Sequence, residues 1–272
     1  MANEKSIVGA VGAGPDGSET KQESRQPRIE EKVDQRQNIQ IDETIQEMMK
    51  AGLHFGHKKS KTHPKMKPYI TGVRNMVHII DLVKTKEKLE EALTFVAELL
   101  KEDKVLLLVG TKIQIKALVE RTAKEAKIPY ISGRWIGGLF TNFENISKRI
   151  EELRELERKE KEGELEKYTK KERLKITDQK RVLEMKFGGI KDIEKLPDAV
   201  FICDYDKNGL AVREARMKGI PVIAITDTNT DPTLIDYAIP ANDDTVSSVG
   251  YILEKLKETI LKKGSKSGTK KT

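Results

Sequence analysis

Three short, uninterrupted apolar runs constrain the fold of this chain more than any other feature of its sequence. They are Val105–Val109, which is followed by Gly110, then Ala199–Cys203 and Val222–Ile225. Apolar runs of this length without polar alternation are typical of strands that are buried on both faces of a sheet. Segments with helical periodicity lie between them, and strands that alternate with helices favour a mainly parallel sheet. We therefore predict an α/β fold with helices on both faces of the sheet.

The intervening segments carry signals for where helices begin and end. We expect helices that start at Asp42 and end at Gly52, open at Thr85, run from Lys112 to Ala126, run from an Asn208 cap to Gly219, and start at Asp244. Further extended segments are expected at residues 69–73, 77–81, 129–131 and 238–240. Asp231 followed by Pro232 predicts another helix start, because proline suits the first helical position.

One long segment departs from this alternation. The spacings Thr141–Glu144 and Thr169–Glu172 match capping boxes, and each precedes a charged helical pattern with a narrow apolar stripe. We predict an antiparallel two-helix coiled-coil hairpin at residues 144–187, inserted into an α/β core formed by residues 39–143 and 188–262.

The two ends of the chain and its overall composition indicate a polyanionic partner. Residues 1–38 lack apolar periodicity and are predicted to be a disordered arm, and residues 263–272 are predicted to be a flexible basic tail. The chain carries 51 Lys and Arg against 44 Asp and Glu, for a net charge of +7. A single cysteine, Cys203, and the lack of a bilayer-length apolar run favour a cytoplasmic protein with no membrane contact.

The residue types that carry catalysis or hold cofactors do not form a convincing motif. His54, His57 and His63 are close in sequence, but no second ligand pair follows them, so no metal site is predicted. Val109–Lys112 resembles only the end of a phosphate-binding loop, and no cofactor or small-molecule substrate is expected.

Carboxylates also follow two of the predicted strands. Asp204 and Asp206 follow one strand, and Asp227 and Asp231 follow the next. An enzyme would place acid–base groups or magnesium there, whereas local turns and helix caps explain the same residues without chemistry. We favour the second interpretation, and no catalytic residue is assigned.

The strongest functional signal is a basic segment, residues 51–80, which contains no Asp or Glu. Cations of one sign repel each other unless a polyanion neutralises them, and phosphates do this with the release of counterions. Arg134, in the glycine-rich stretch 133–138, is a second candidate for a phosphate contact, while Trp135 could stack on a base or anchor the hairpin. We therefore predict that these residues bind RNA: Lys58, Lys59, Lys61, Lys65, Lys67, Arg74 and Arg134.

Many separate stretches of the chain, in order between about residues 40 and 262, resemble one family. They include residues 51–57, 63–70, 78–82, 109–112, 134–143, 187–190, 196–199, 219–224, 227–229 and 242–244. The family is the bacterial small-subunit ribosomal protein number two. Two positions depart from its usual pattern: Thr62 and His63 precede Pro64, and Tyr205 follows Asp204.

The resemblance implies a Rossmann-like core with a protruding helical hairpin and no enzymatic activity. It also implies contacts with small-subunit rRNA and with neighbouring ribosomal proteins, including the large mRNA-binding protein that the family helps to dock. Two other interpretations of the residues remain open. One is an enzyme of sugar-phosphate or nucleotide chemistry that uses Asp204 and Asp227, and the other is a free adaptor whose hairpin binds proteins.

Overall fold

A computed structural model describes residues 43–267, with side chains through residue 262. Five strands form a parallel sheet in the order β5-β4-β6-β7-β8. Their bounds are Leu106–Val109 (β4), Tyr130–Ile131 (β5), Ala199–Ile202 (β6), Val222–Thr226 (β7) and Tyr237–Pro240 (β8). The seven helices within the described range are Glu43–Ala51 (α1), Leu82–Lys101 (α2), Lys116–Ala126 (α3), Phe143–Lys161 (α4), Lys170–Phe187 (α5), Tyr205–Met217 (α6) and Val246–Ser267 (α7). The predicted α/β class is confirmed.

The central strands are buried on both faces, as their unbroken apolar runs predict. Leu108 and Phe201 point into one core cluster, which α2, α3 and α7 cover. Leu107 and Val200 point into the other cluster, which contains residues of α4, α5 and α6. Because neighbouring residues of a strand face opposite sides, two layers of helices require every position of β4 and β6 to be apolar.

A second, smaller sheet was not predicted as a sheet. The strands Phe55–Lys58 (β1), Ile70–Arg74 (β2) and Val77–Ile80 (β3) pair antiparallel in the order β1-β3-β2. The expected extended segments at 69–73 and 77–81 correspond to β2 and β3, but β1 was missed. Its four residues have no apolar alternation and only one large apolar side chain, Phe55, which is exposed.

Several helices begin at residues other than those predicted, because tertiary contacts use the expected caps. Helix α2 begins at Leu82, where the Asp81 carboxylate accepts the N–H of Val83. Thr85, the predicted start, is buried, and its hydroxyl donates to the carbonyl of Pro240. The Thr141–Glu144 capping box was likewise wrong, because the Thr141 hydroxyl donates to Glu214 and α4 has no side-chain cap.

Three further starts were misplaced. Helix α3 begins at Lys116 rather than Lys112. Helix α6 begins at Tyr205, and Asn208 lies at a kink inside it. Before α7, the Asn242 side chain accepts the N–H of Asp244, and the helix begins two residues later.

Other local signals held. Gly52 follows α1 with φ +79°, and Thr169 and Glu172 form the predicted capping box of α5. Asp231 caps a single 3₁₀ turn at Pro232–Leu234. The predicted cap Asp42 and the arm 1–38 lie outside the described residues. At the other end, α7 continues to Ser267, five residues beyond the boundary expected at 262.

The segment between β5 and β6 forms two helices, α4 and α5, with bounds within a residue of the predicted 144–187. They contact each other through the buried Leu153 and Leu183 and through an ion pair between Glu160 and Lys180. The Arg154 side chain donates to the carbonyl of Lys191, which fastens α4 to the segment after α5. The coiled-coil geometry of this hairpin stays a prediction.

Within residues 43–267, every helix is too short or too polar to cross a lipid bilayer.

A glycine fixes how closely the hairpin base approaches the sheet. A Cβ atom built on Gly189 would lie 2.2 Å from the carbonyl oxygen of Tyr130 in β5, whereas one on Gly188 would meet only the Glu184 side chain at 3.4 Å. We expect Gly189→Ala to lower the free energy of unfolding by about 3 kcal/mol, because the contact is with backbone that cannot move aside. Urea denaturation followed by circular dichroism measures the effect.

Gly188→Ala is the matched control and should change stability by no more than about 1 kcal/mol. Equal stabilities of the two variants would mean that the hairpin base does not need this close approach.

Candidate nucleic-acid interface

The predicted RNA-binding lysines lie on a segment that is pinned to the protein by its own buried residues. Residues 64–69 form a 3₁₀ helix in which Met66 is fully buried, while Lys65 and Lys67 are exposed. The N–H of His63 donates to the carbonyl of Thr228, 2.8 Å away. The lysines therefore project from a backbone that is held in place.

Asp227, which follows β7, holds the same segment. Its carboxylate accepts the backbone N–H of His57 at 3.1 Å and lies 2.9 Å from Nδ1 of the His57 ring. The hydrogen bond to Asp227 raises the pKa of His57, against the effect of burial. One of the two carboxylates on which an enzyme interpretation depends thus serves as an anchor for the basic segment.

Lys65 differs from the other predicted cations. Its Nζ lies 3.1 Å from the Asp231 carboxylate and donates to the Thr233 hydroxyl at 2.8 Å. Hydrogen bonds from Thr233, together with Lys65, lower the pKa of Asp231 to about 2. Lys65 therefore already has a counter-charge within the protein.

The remaining six predicted cations are exposed, and none of them forms an ion pair with a carboxylate of residues 43–262. They are Lys58, Lys59, Lys61, Lys67, Arg74 and Arg134. Lys59 and Arg74 are close to the β2–β3 turn, where the N–H of Lys59 donates to the carbonyl of Met76. The structure thus places five of the six on one continuous stretch of chain, and Arg134 on a separate loop.

The loop that carries Arg134 is organised around Glu214 of α6, which is 4% exposed. The Glu214 carboxylate accepts the Trp135 indole N–H at 3.2 Å and the backbone N–H groups of Gly138 at 2.8 Å and Phe140 at 3.1 Å. Burial by itself would raise the pKa of Glu214, but these donors outweigh it and lower the pKa. Of the two roles left open for Trp135, the buried anchor is the one it has.

Sequence reasoning missed Glu214. The signal that could have found it is its position among the apolar residues Ala211, Val212 and Ala215 on the buried face of α6. A carboxylate on such a face needs donors from elsewhere in the fold.

The carboxyl ends of β4 and β6 form the crevice in which parallel α/β sheets commonly bind ligands, because the chain leaves β4 towards opposite edges of the sheet. Asp204 fills this position. Its carboxylate accepts the N–H of Thr111 at 3.0 Å and the side-chain N–H of Asn208 at 2.9 Å. The backbone donor that a phosphate would use in the loop 109–112 is therefore already occupied by the chain's own carboxylate.

The predicted histidine cluster does not assemble. Among the described residues, one group has the composition and spacing to hold a metal ion: His57, Asp227, Asp243 and Asp244, whose ligand atoms lie within 4.8 Å of one another. His54 and His63 do not belong to it.

A cation from the chain itself is present at this group. Nζ of Lys112 lies 2.8 Å from oxygens of both Asp243 and Asp244. Burial raises the pKa of Asp243 to about 6, against the lowering effect of Lys112. The oxygen and nitrogen atoms of the group suit a divalent cation, and Lys112 supplies a counter-charge of its own.

Comparison with known proteins agrees with this arrangement of a pinned basic segment and a filled crevice. The model of the family described as ribosomal protein S2 matches residues 48–263. The chain belongs to the ribosomal protein S2 family. Members of this family are structural components of the small ribosomal subunit and are not enzymes.

Individual relatives give the same result. The small ribosomal subunit protein uS2 of Coprothermobacter proteolyticus is 44% identical over 218 residues, which cover 80% of this chain and 81% of the relative. The uS2 proteins of a Nitratiruptor species and of Chlorobaculum tepidum are also 44% identical, over 80% of this chain and 82% and 87% of their own lengths. The family predicted from the sequence is confirmed, and the enzyme interpretation is set aside.

Glu214 provides a test of how the Arg134 loop is held. We expect Glu214→Gln to lower the free energy of unfolding at pH 7 by about 2–4 kcal/mol, because a neutral amide places a donor against N–H groups that need acceptors. Since the folded-state pKa of Glu214 is below its ordinary value, the stability that the carboxylate supplies is present above about pH 4.3 and is lost as the pH falls through the folded-state pKa. Denaturation of both proteins between pH 3 and pH 7 measures the difference.

The exposed Glu194→Gln serves as the control and should be neutral across this range. A stability difference for Glu214→Gln that does not narrow in acid would contradict the assigned role.

Proposed function

We propose that this chain binds small-subunit rRNA through the exposed cations of its pinned basic segment and through Arg134. The observation that supports the proposal is the set of six exposed cations that have no carboxylate partner among residues 43–262. Protein groups leave their charge uncompensated, and a phosphodiester backbone supplies the opposite charge with release of counterions. Contacts of this kind position the protein on RNA without reading its sequence.

The rigidity of the segment adds to its suitability for RNA. Met66 is buried and the backbone of His63 and His57 is hydrogen-bonded to residues 227–228, so little chain entropy is lost when the lysines dock. Lys65 contributes less to the proposed contact than its neighbours, because binding a phosphate would require it to leave Asp231. The proposal therefore ranks Lys58, Lys59, Lys61, Lys67 and Arg74 ahead of Lys65.

The proposal has a second part, which concerns protein partners in the cytoplasm, where small subunits take part in translation. As a member of a small-subunit family, the chain is placed beside other ribosomal proteins. We propose that it helps to dock the large mRNA-binding ribosomal protein, with residues 144–187 acting as an inserted hairpin that reaches beyond the core. The length of α4 and α5, 19 and 18 residues, gives the hairpin a reach of roughly 27 Å.

The salt dependence of RNA binding tests the first part. We expect the triple variant Lys58→Ala, Lys59→Ala, Lys61→Ala to lower the slope of log K against log salt by up to about 3, on the counterion-release relation. Filter binding to transcribed small-subunit rRNA at several potassium concentrations measures the slope. Lys65→Ala should lower it by less than any of these three single changes.

A matched triple variant, Lys88→Ala, Lys101→Ala, Lys104→Ala, removes three cations of α2 and the turn that follows it, where Lys88 and Lys104 pair with Glu91 and Glu102. This control should leave the slope unchanged. If both triple variants alter the slope equally, the basic segment has no special role in RNA binding.

Reconstitution tests the second part. We expect small subunits assembled without this chain to lose the large mRNA-binding protein on sedimentation, and addition of the purified chain to restore it. Quantitative mass spectrometry of the subunit peak measures the occupancy. Subunits that omit the mRNA-binding protein should retain this chain, and equal retention of the mRNA-binding protein with or without this chain would refute the docking role.

A further inference from the structure

The outer face of α5 carries an apolar stripe that nothing within the described residues covers. Leu174, Val182 and Met185 are 66%, 41% and 71% exposed. Their spacings of eight and eleven residues place Val182 about 80° and Met185 about 20° from Leu174 around the helix. Leu183, which is buried against α4 and the core, lies roughly opposite.

Cations surround this stripe. Helix α5 contains seven Lys and Arg against three acidic residues, whereas α4 contains six of each. Lys170, Lys171, Lys175 and Lys186 form no ion pair among residues 43–262. On the same face Asp178 is paired with Arg181 at 3.4 Å. The outer face of α5, defined here by residues 170, 171, 174, 175, 178, 181, 182, 185 and 186, is therefore both apolar and cationic.

We infer that the outer face of α5 is a docking surface for an acidic, amphipathic helix of a partner protein. Apolar residues at helical spacing are the anchors by which one helix receives another, and exposed apolar patches of this kind mark sites of association. The uncompensated lysines on both sides of the stripe require acidic residues that flank the apolar anchors of the partner.

Two other occupants fit this face less well. A phosphodiester backbone would satisfy the lysines, but three aliphatic side chains contribute little to RNA, which proteins recognise with cations and with aromatic or planar groups that stack on bases. A second copy of this chain would satisfy the apolar stripe, but it would set two cationic faces against each other. An acidic helix is the occupant that meets both requirements, and this inference does not depend on the RNA-binding role of residues 51–80.

Site-specific photocrosslinking in assembled small subunits tests the inference. A benzophenone side chain introduced at Leu174 or at Met185 should form an adduct that proteinase removes and ribonuclease does not. The crosslinked peptide, identified by mass spectrometry, should be net acidic and should carry apolar residues three or four positions apart. A probe at Lys148, on the exposed face of α4, should not give this adduct.

Variants separate the contributions of the stripe and of the cations. With the probe at Val182, either Leu174→Ser with Met185→Ser or Lys170→Glu with Lys171→Glu should lower the adduct yield about tenfold, as loss of anchor residues does at interfaces. Met217→Ser, which removes an equally exposed methionine from α6, is the control and should leave the yield unchanged. The salt slope of rRNA binding should be the same for all of these variants.

Four outcomes would overturn the inference. They are an adduct with RNA, an adduct with a second copy of this chain, an adduct with a neutral or basic peptide, and no adduct at either position.

Discussion

Hydrogen bonds from backbone N–H groups to buried carboxylates join the functional parts of this molecule to its sheet. Asp227 accepts the N–H of His57, 170 residues away in the chain, and Asp204 accepts the N–H of Thr111. A parallel sheet brings the carboxyl ends of its strands to one edge, so a carboxylate after one strand can reach a loop that precedes or follows another. Each such carboxylate is costly to bury alone and is stabilised only by the donors that it gathers, so the loop and the sheet edge depend on one another.

Glu214 applies the same principle on the opposite face of the sheet. It gathers the Trp135 indole and three consecutive parts of the loop that leads into α4, and this leaves Arg134 exposed. In both places the residues that bear the internal load are buried and anionic, and the residues free to meet a polyanion are exposed and cationic. The same organisation accounts for the filled crevice at Asp204, where a catalytic α/β protein would keep backbone donors free for a ligand.

The sequence predicted the class of fold because burial on both faces requires strands such as 105–109 and 199–203 to be apolar throughout. It did not predict β1, whose residues show no periodicity, or the starts of α2, α4 and α7. At those starts local capping rules were overridden: Thr85 and Thr141 each bond to residues far along the chain, and Asp244 pairs with Lys112. A capping side chain is available to its helix only when no buried partner competes for it, and a single sequence does not show those partners.

The sequence by itself determined the alternation of strands and helices, the family, and which residues are cationic without acidic neighbours, because periodicity, motif order and charge are local properties. Tertiary structure decided which of those charges are free. Lys58 and Lys65 are equivalent in sequence, yet only Lys65 finds Asp231, and His57 meets three aspartates while His54 and His63 do not. The reason is physical: an ion pair or a buried hydrogen bond depends on distances between residues more than 150 positions apart, and only the folded sheet sets those distances.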